Sequence, residues 1–198
     1  FNSDQKINLQ LLESLNFKPI NYANQIFDKC KTKIFSDYCD NGIQPIKSAN
    51  LKNITFTNAE KIEGEFSLKW KNADRYSNIS FDFLPNKNFQ NLVNKNAVIK
   101  FSIKFSHPST KIDLRFVDVK NNSSDHAWRK NYSIESANSN SWQKFEIPLN
   151  DFYETGCYEN GKWYNPENKF DWNEIDKFEI VAEQESLIGK TILLDEIE

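Results

Sequence analysis

This sequence predicts an all-β fold: a β-sandwich jelly roll of two antiparallel sheets, preceded by a short helical or irregular N-terminal leader. Three observations lead there. Apolar residues recur at every second position, as in Phe66, Leu68 and Trp70, in Ile79, Phe81 and Phe83, and in Ile99, Phe101, Ile103 and Phe105, with charged or small polar residues between them. That is the pattern of strands with one dry and one wet face. Clusters of Asn, Ser, Gly and Pro separate these segments, while a helical period is confined to the first residues. The 198 residues suffice for one sandwich with a sizeable core.

Taken in chain order, residues 1–25 form the leader. Ile7, Leu11, Leu12 and Leu15 make a helical stripe over residues 5–17 that stops before Pro19, with Leu9 off the stripe. Residues 26–198 form the sandwich domain, without internal repeat, low-complexity tract or linker. Beyond the three segments above, strands are expected at 112–119, 130–135, 142–148, 177–183 and 190–197. In Asp113 to Val119, alternation puts Leu114 and Phe116 on one face and Asp113 and Arg115 on the other. In Phe178 to Glu183 it turns Phe178, Ile180 and Ala182 inward and Glu179, Val181 and Glu183 outward. If the two strands are neighbours, Arg115 and Arg129 can pair with Glu179 and Glu183. Such a network reads sugar hydroxyls well, because guanidinium forks and carboxylates donate and accept in set directions. A solvated face with ordinary cross-strand ion pairs is the alternative.

Composition narrows the partners. With 25 Lys and Arg against 28 Asp and Glu, and the basic residues dispersed, nucleic acid is not the expected partner. Apolar runs are too short for a membrane span or the apolar region of a signal peptide. A chain that begins at Phe1 and contains no Met is expected to have been trimmed, by signal cleavage or excision. Cys30, Cys39 and Cys157 show no metal-ligand spacing; Cys30 and Cys39 pair across a turn, or all three are buried thiols. With only 5 Gly there is no phosphate-cradling loop.

Four of the five tryptophans lie after residue 125, among paired charges. Flat apolar rings flanked by Arg, Glu, Asp and Asn suit stacking on a sugar while its hydroxyls are hydrogen-bonded; an aromatic core is the other reading. The segment from Tyr153 to Pro166 holds Tyr153, Tyr158, Trp163 and Tyr164 beside turn residues, and reads as a lid over the sandwich or one wall of a site, which makes Trp163 and Tyr164 candidate contacts. A glycosidase needs a carboxyl pair roughly 5 Å apart if retaining and wider if inverting, whereas Glu179 and Glu183 on one strand would be roughly 13 Å apart. His107 and His126 have no Ser or Cys in nucleophile context.

Several stretches follow one another in a telling order: Gly-Glu-Phe-Ser-Leu-Lys-Trp at 64–70, Ser-Trp-Gln-Lys-Phe-Glu-Ile-Pro-Leu-Asn-Asp-Phe at 141–152, Phe-Asp-Trp-Asn-Glu-Ile-Asp at 170–176, and Leu194-Asp195-Glu196-Ile197. Over roughly residues 26–198 the chain resembles the galactose-binding-like jelly-roll carbohydrate-binding modules, nearest to the family 11 type attached to bacterial β-glucan-degrading enzymes. The resemblance implies a non-catalytic module that binds a polysaccharide, a β-glucan, in a concave groove, with Arg115, Trp128, Arg129, Tyr132, Glu179 and Glu183 as contacts. It also implies a structural calcium drawing on Asp28 and Asp195, an extracellular or cell-surface location, and an attached catalytic domain. The long aromatic loop at 153–169 and the leader depart from the family pattern. The competing readings are a glycan-active hydrolase or lyase on the same scaffold, and a structural or protein-binding sandwich.

Overall fold

The computed structural model describes residues 33–37, 39, 42–44, 51–120, 122 and 124–198, which belong to a compact unit spanning Thr32–Glu198. The helical stripe at 5–17, Asp28 and Cys30 lie outside the described residues.

Twelve strands are formed among the described residues. One five-stranded antiparallel sheet runs in the order β1 (Ile54–Thr57), β2 (Ser67–Lys71), β12 (Thr191–Asp195), β4 (Val98–Phe105), β7 (Trp142–Pro148). The other runs β3 (Asn78–Lys87), β11 (Ile175–Val181), β5 (Lys111–Asp118), β6 (Arg129–Glu135), β8 (Tyr153–Glu154). A separate two-stranded ribbon pairs β9 (Cys157–Glu159) with β10 (Lys162–Tyr164). The short helix α1 (Gln90–Asn94) links β3 to β4.

Period-two patterning explains the layering. The first sheet turns Leu68, Trp70, Ile103, Phe105, Ile192 and Leu194 inward, and the second Ile79, Phe81, Leu114, Phe116, Phe178 and Ile180, into one continuous core. Phe116 is its hub, with ring centroids 5.0 Å from Phe178, 5.1 Å from Phe152, 5.2 Å from Trp172 and 5.8 Å from Phe89. Because strands β11 and β5 are both central, a slip of one residue would turn this whole aromatic set toward water, which pins the register.

Two boundaries differ from the sequence expectation for local reasons. Phe66 stays outside β2 because the backbone N–H groups of Glu65 and Phe66 donate to the Asp37 carboxylate, at 2.7 and 2.8 Å, rather than to a neighbouring strand. The stretch from 153 to 166, read as a loop, contains β8, β9 and β10. Asn160 and Gly161, both at positive φ (51° and 80°), form a two-residue hairpin turn whose twist matches the flanking strands.

Candidate functional site

The second sheet turns its outer face into a polar surface, and the strand register decides what meets there. Glu179 on β11 lies opposite Arg115 on β5 and Ser80 on β3, while Val117 lies opposite both Lys177 and Arg129. Arg115 donates from Nη1 to Glu179 Oε2 at 3.3 Å and from Nη2 to Glu183 Oε2. The second Glu179 oxygen accepts from Asn78 Nδ2 at 2.8 Å. Asp113 accepts from the Ser133 hydroxyl at 2.6 Å and from Gln184 Nε2. Arg115 is 6% exposed and Glu179 7%. Charges so enclosed are held in one geometry, since each is neutralised and its hydrogen-bonding directions are fixed before a ligand arrives. Arg115 Nε and Asn131 Oδ1, from residues paired across β5 and β6, are buried with no protein hydrogen-bond partner.

Beside this network lies a cleft of about 270 Å³ lined by Arg115, Arg129, Lys177, Glu179, Cys157 and Tyr158, among others. Cys157, Tyr158 and Glu159 of β9 line one side of it. Arg129 Nη2 donates to the Tyr158 carbonyl at 3.3 Å. Burial, and next the Arg115 charge, pull the Arg129 guanidinium below its ordinary value. Burial works in the same sense on Lys177 and is the largest single influence there, yet the carboxylates of Asp176, 3.1 Å away, Glu179 and Asp82 together raise the ammonium. Burial pushes the Cys157 thiol up, which keeps it protonated and unreactive.

The ribbon is fastened by Glu159. Its carboxylate accepts from Lys120 Nζ at 2.9 Å and meets His126 Nδ1 at 2.7 Å, and these two hydrogen bonds, His126 first, hold it below the usual carboxylate range. His126 in turn stacks on Tyr164, centroids 3.7 Å apart, and meets Trp128 edge-on at 5.5 Å. On the ribbon, Tyr158 and Trp163 are directly opposed in register and exposed, at 57% and 46%.

The residues expected at the site are thus divided. Arg115, Glu179 and Glu183 come together as one network, and Arg129 joins them at the cleft through Tyr158 rather than through a carboxylate. Trp163 offers an open ring, while Tyr164 is half-buried under His126. Trp128 is 1% exposed: its indole N–H donates to Asp125 at 3.0 Å and its backbone N–H to Asp118 at 2.6 Å, so it braces the 119–128 loop. Tyr132 pairs in register with Leu114 on the inner face and packs on Phe152, centroids 5.7 Å apart, on the opposite side of the sheet from Arg115. Asp195 is buried on the outer side of the other sheet, where Oδ2 accepts from the N–H groups of Ile62 and Glu63 (2.7 and 3.4 Å) and Oδ1 from Glu196 (2.9 Å). No group of three or more His, Cys, Asp or Glu is gathered for a metal ion among the described residues.

Sequence reasoning passed over Asp118. This buried carboxylate accepts from the backbone N–H groups of Trp128 and Asp171 (2.6 and 2.9 Å), joining the two loops that flank the cleft end of β5. Burial pushes it up to about 7 against those two donors, with Asp125 and Asp171 adding to the rise. Its position at the end of a strand of alternating pattern carried no signal of the partners it would find.

Comparison with known proteins agrees with this architecture. The family described as carbohydrate binding domain 30 matches residues 23–198. A family 30 carbohydrate-binding module is 14% identical, with a TM-score of 0.61 over 84% of this chain and 95% of that one. The family 30 module of the cellulosomal cellulase Cel9D-Cel44B of Clostridium thermocellum is 13% identical, with a TM-score of 0.58 over 84% and 94%. A family 11 module from Clostridium thermocellum, solved in complex with a β-1,3-1,4-mixed-linked tetrasaccharide, is 16% identical, with a TM-score of 0.56 over 84% and 92%. At these identities the likeness speaks for the fold. No curated protein matches the chain.

Proposed function

The chain belongs to the carbohydrate binding domain 30 family, and from that premise we propose that it is a non-catalytic module binding a β-glucan chain on the polar face of the second sheet. The observation that carries this reading is the Arg115 guanidinium, buried yet set on the outer face and fixed by Glu179 and Glu183 beside the cleft. A fixed fork of donors flanked by carboxylate acceptors matches vicinal sugar hydroxyls, each of which donates and accepts. The open ring of Tyr158, which lines the cleft, and that of Trp163, paired with it on the ribbon, supply the apolar surface on which a pyranose stacks.

Glu179 and Glu183 pair with the same Arg115, an arrangement for holding a ligand rather than for splitting a glycosidic bond between these two as acid and base. The mixed-linked tetrasaccharide held by the family 11 module makes mixed-linkage β-glucan the first ligand to try. A module of this kind works outside the cell or at its surface, next to a catalytic domain; no helix among the described residues is long and apolar enough to cross a membrane. A structural calcium, with Asp28 and Asp195 as the carboxylates named by the family resemblance, is part of this reading, and a melting temperature that rises with calcium and falls with a chelator is the measurement for it.

Titration calorimetry and affinity electrophoresis against mixed-linkage glucan, xyloglucan, mannan and laminarin test the proposal. Binding to at least one, weakened by Arg129→Ala, is the expected result. Folded protein that binds none of them ends it.

A further inference from the structure

On the outer face of the second sheet the strand register sets two rows of side chains next to each other. In the first, Glu179, Arg115 and Asn131 stand abreast on β11, β5 and β6. In the second, one pleat along, Lys177, Val117 and Arg129 do so, and all three line the cleft. The guanidinium of the first row is met by the carboxylates of Glu179 and Glu183. The second row instead carries two cations with an apolar valine between them, on strands about 10 Å apart.

The carboxylates around the cleft are already committed. Glu179 and Glu183 hold Arg115, Asp176 holds Lys177, and Glu159 holds Lys120 and His126. Arg129 is left over: among the described residues it forms no ion pair, and the acceptor it reaches is the neutral Tyr158 carbonyl, 3.3 Å from Nη2. Arg115 adds a spare donor at the same cleft, since its Nε is buried without a hydrogen-bond partner. Burial and the Arg115 charge work against the Arg129 cation more strongly than Glu179 and Glu183 work for it. A half-buried guanidinium so placed gains most from a ligand that brings its own negative charge. A neutral hydroxyl would satisfy a donor and leave the charge unmatched. The planar fork suits a carboxylate, whose two oxygens it can engage together.

We infer that Arg129, backed by Arg115 and with Lys177 across Val117, forms a subsite for a carboxylate, so that the glycan taken by this face carries uronic acid residues. The inference rests on the glycan reading of this face. Its test is calorimetry of each panel polymer beside the same polymer oxidised at its primary hydroxyls, which turns hydroxymethyl groups into carboxylates and leaves the linkages unchanged. In low salt, wild type binds the oxidised form of its ligand about tenfold tighter than the parent, and high salt removes the difference. The formal net charge of -3 opposes polyanions at large, so such a preference reports a local site. Arg129→Gln weakens both forms and binds them alike, while Arg129→Lys, with the charge but not the fork, retains part of the preference. If folded wild type binds no polymer in either form, the glycan reading of the face falls and this inference with it. If wild type binds a parent polymer and its oxidised form no more than about twofold tighter, this inference alone is overturned. A preference that persists undiminished in Arg129→Gln overturns it too.

Discussion

Arg115 and Glu179 face each other in register on adjacent central strands, and both are more than nine-tenths buried although they lie on the outer side of the sheet. On the proposed reading the pair is a structural element and a binding element at once. Arg115→Ala leaves the enclosed Glu179 carboxylate without its counter-charge, and the expected loss is about 3 kcal/mol. Arg115→Met combined with Glu179→Gln recovers most of the stability and none of the glycan binding. Urea unfolding together with calorimetry reads both; Arg115→Ala unfolding at the wild-type midpoint contradicts the prediction.

Two tryptophans separate core from contact. Trp128→Ala removes a fully enclosed ring and its two hydrogen bonds, with an expected loss of about 3–5 kcal/mol in folding stability. Trp163→Ala, on the open face of the ribbon, leaves unfolding unchanged and weakens glycan binding about fivefold. Equal effects of the two on unfolding would show that exposure has misassigned them.

That division bears on what could be read in advance. Alternation alone turned Arg115, Glu179 and Glu183 to one face, because parity along a strand survives any choice of neighbour. The same parity separates Arg129 from Tyr132, three residues on, so the inward placement of Tyr132 was legible although the family resemblance pointed the other way. The Asn160-Gly161 pair was likewise a hairpin signal within what read as a loop. Trp128 and Asp118 were not legible: their environment is made by Asp125 and Asp171, from loops whose approach no local period encodes.

Asp118 makes stability depend on pH in an unusual direction for a carboxylate. Its folded value of about 7 stands above the ordinary 3.8, so the folded state binds the proton more tightly. The contribution is fully present below about pH 4 and declines as pH rises toward 7. In Asp118→Asn the fall in unfolding midpoint across that window flattens, which urea titrations at a series of pH values measure. An unchanged slope would refute the assignment.

Gly156 lies at φ of +84°, and a Cβ there would run into the Tyr164 carbonyl oxygen. Gly156→Ala must displace the ribbon, because backbone rather than a flexible side chain blocks it. Glycan affinity is expected to fall at least fivefold while the unfolding midpoint moves little, the ribbon being outside both large sheets. A wild-type affinity would mean that the ribbon does not shape the binding surface.

Because the cleft wall is a ribbon closed on its own two-residue turn, residues 157–164 form an exchangeable cassette. Its tip can be lengthened or recoded without re-registering a strand of either large layer, provided Glu159 keeps its anchors on Lys120 and His126. On the proposed glycan reading, ligand preference is thereby uncoupled from foldability, which makes the cassette the natural place to begin a library of altered sugar specificities.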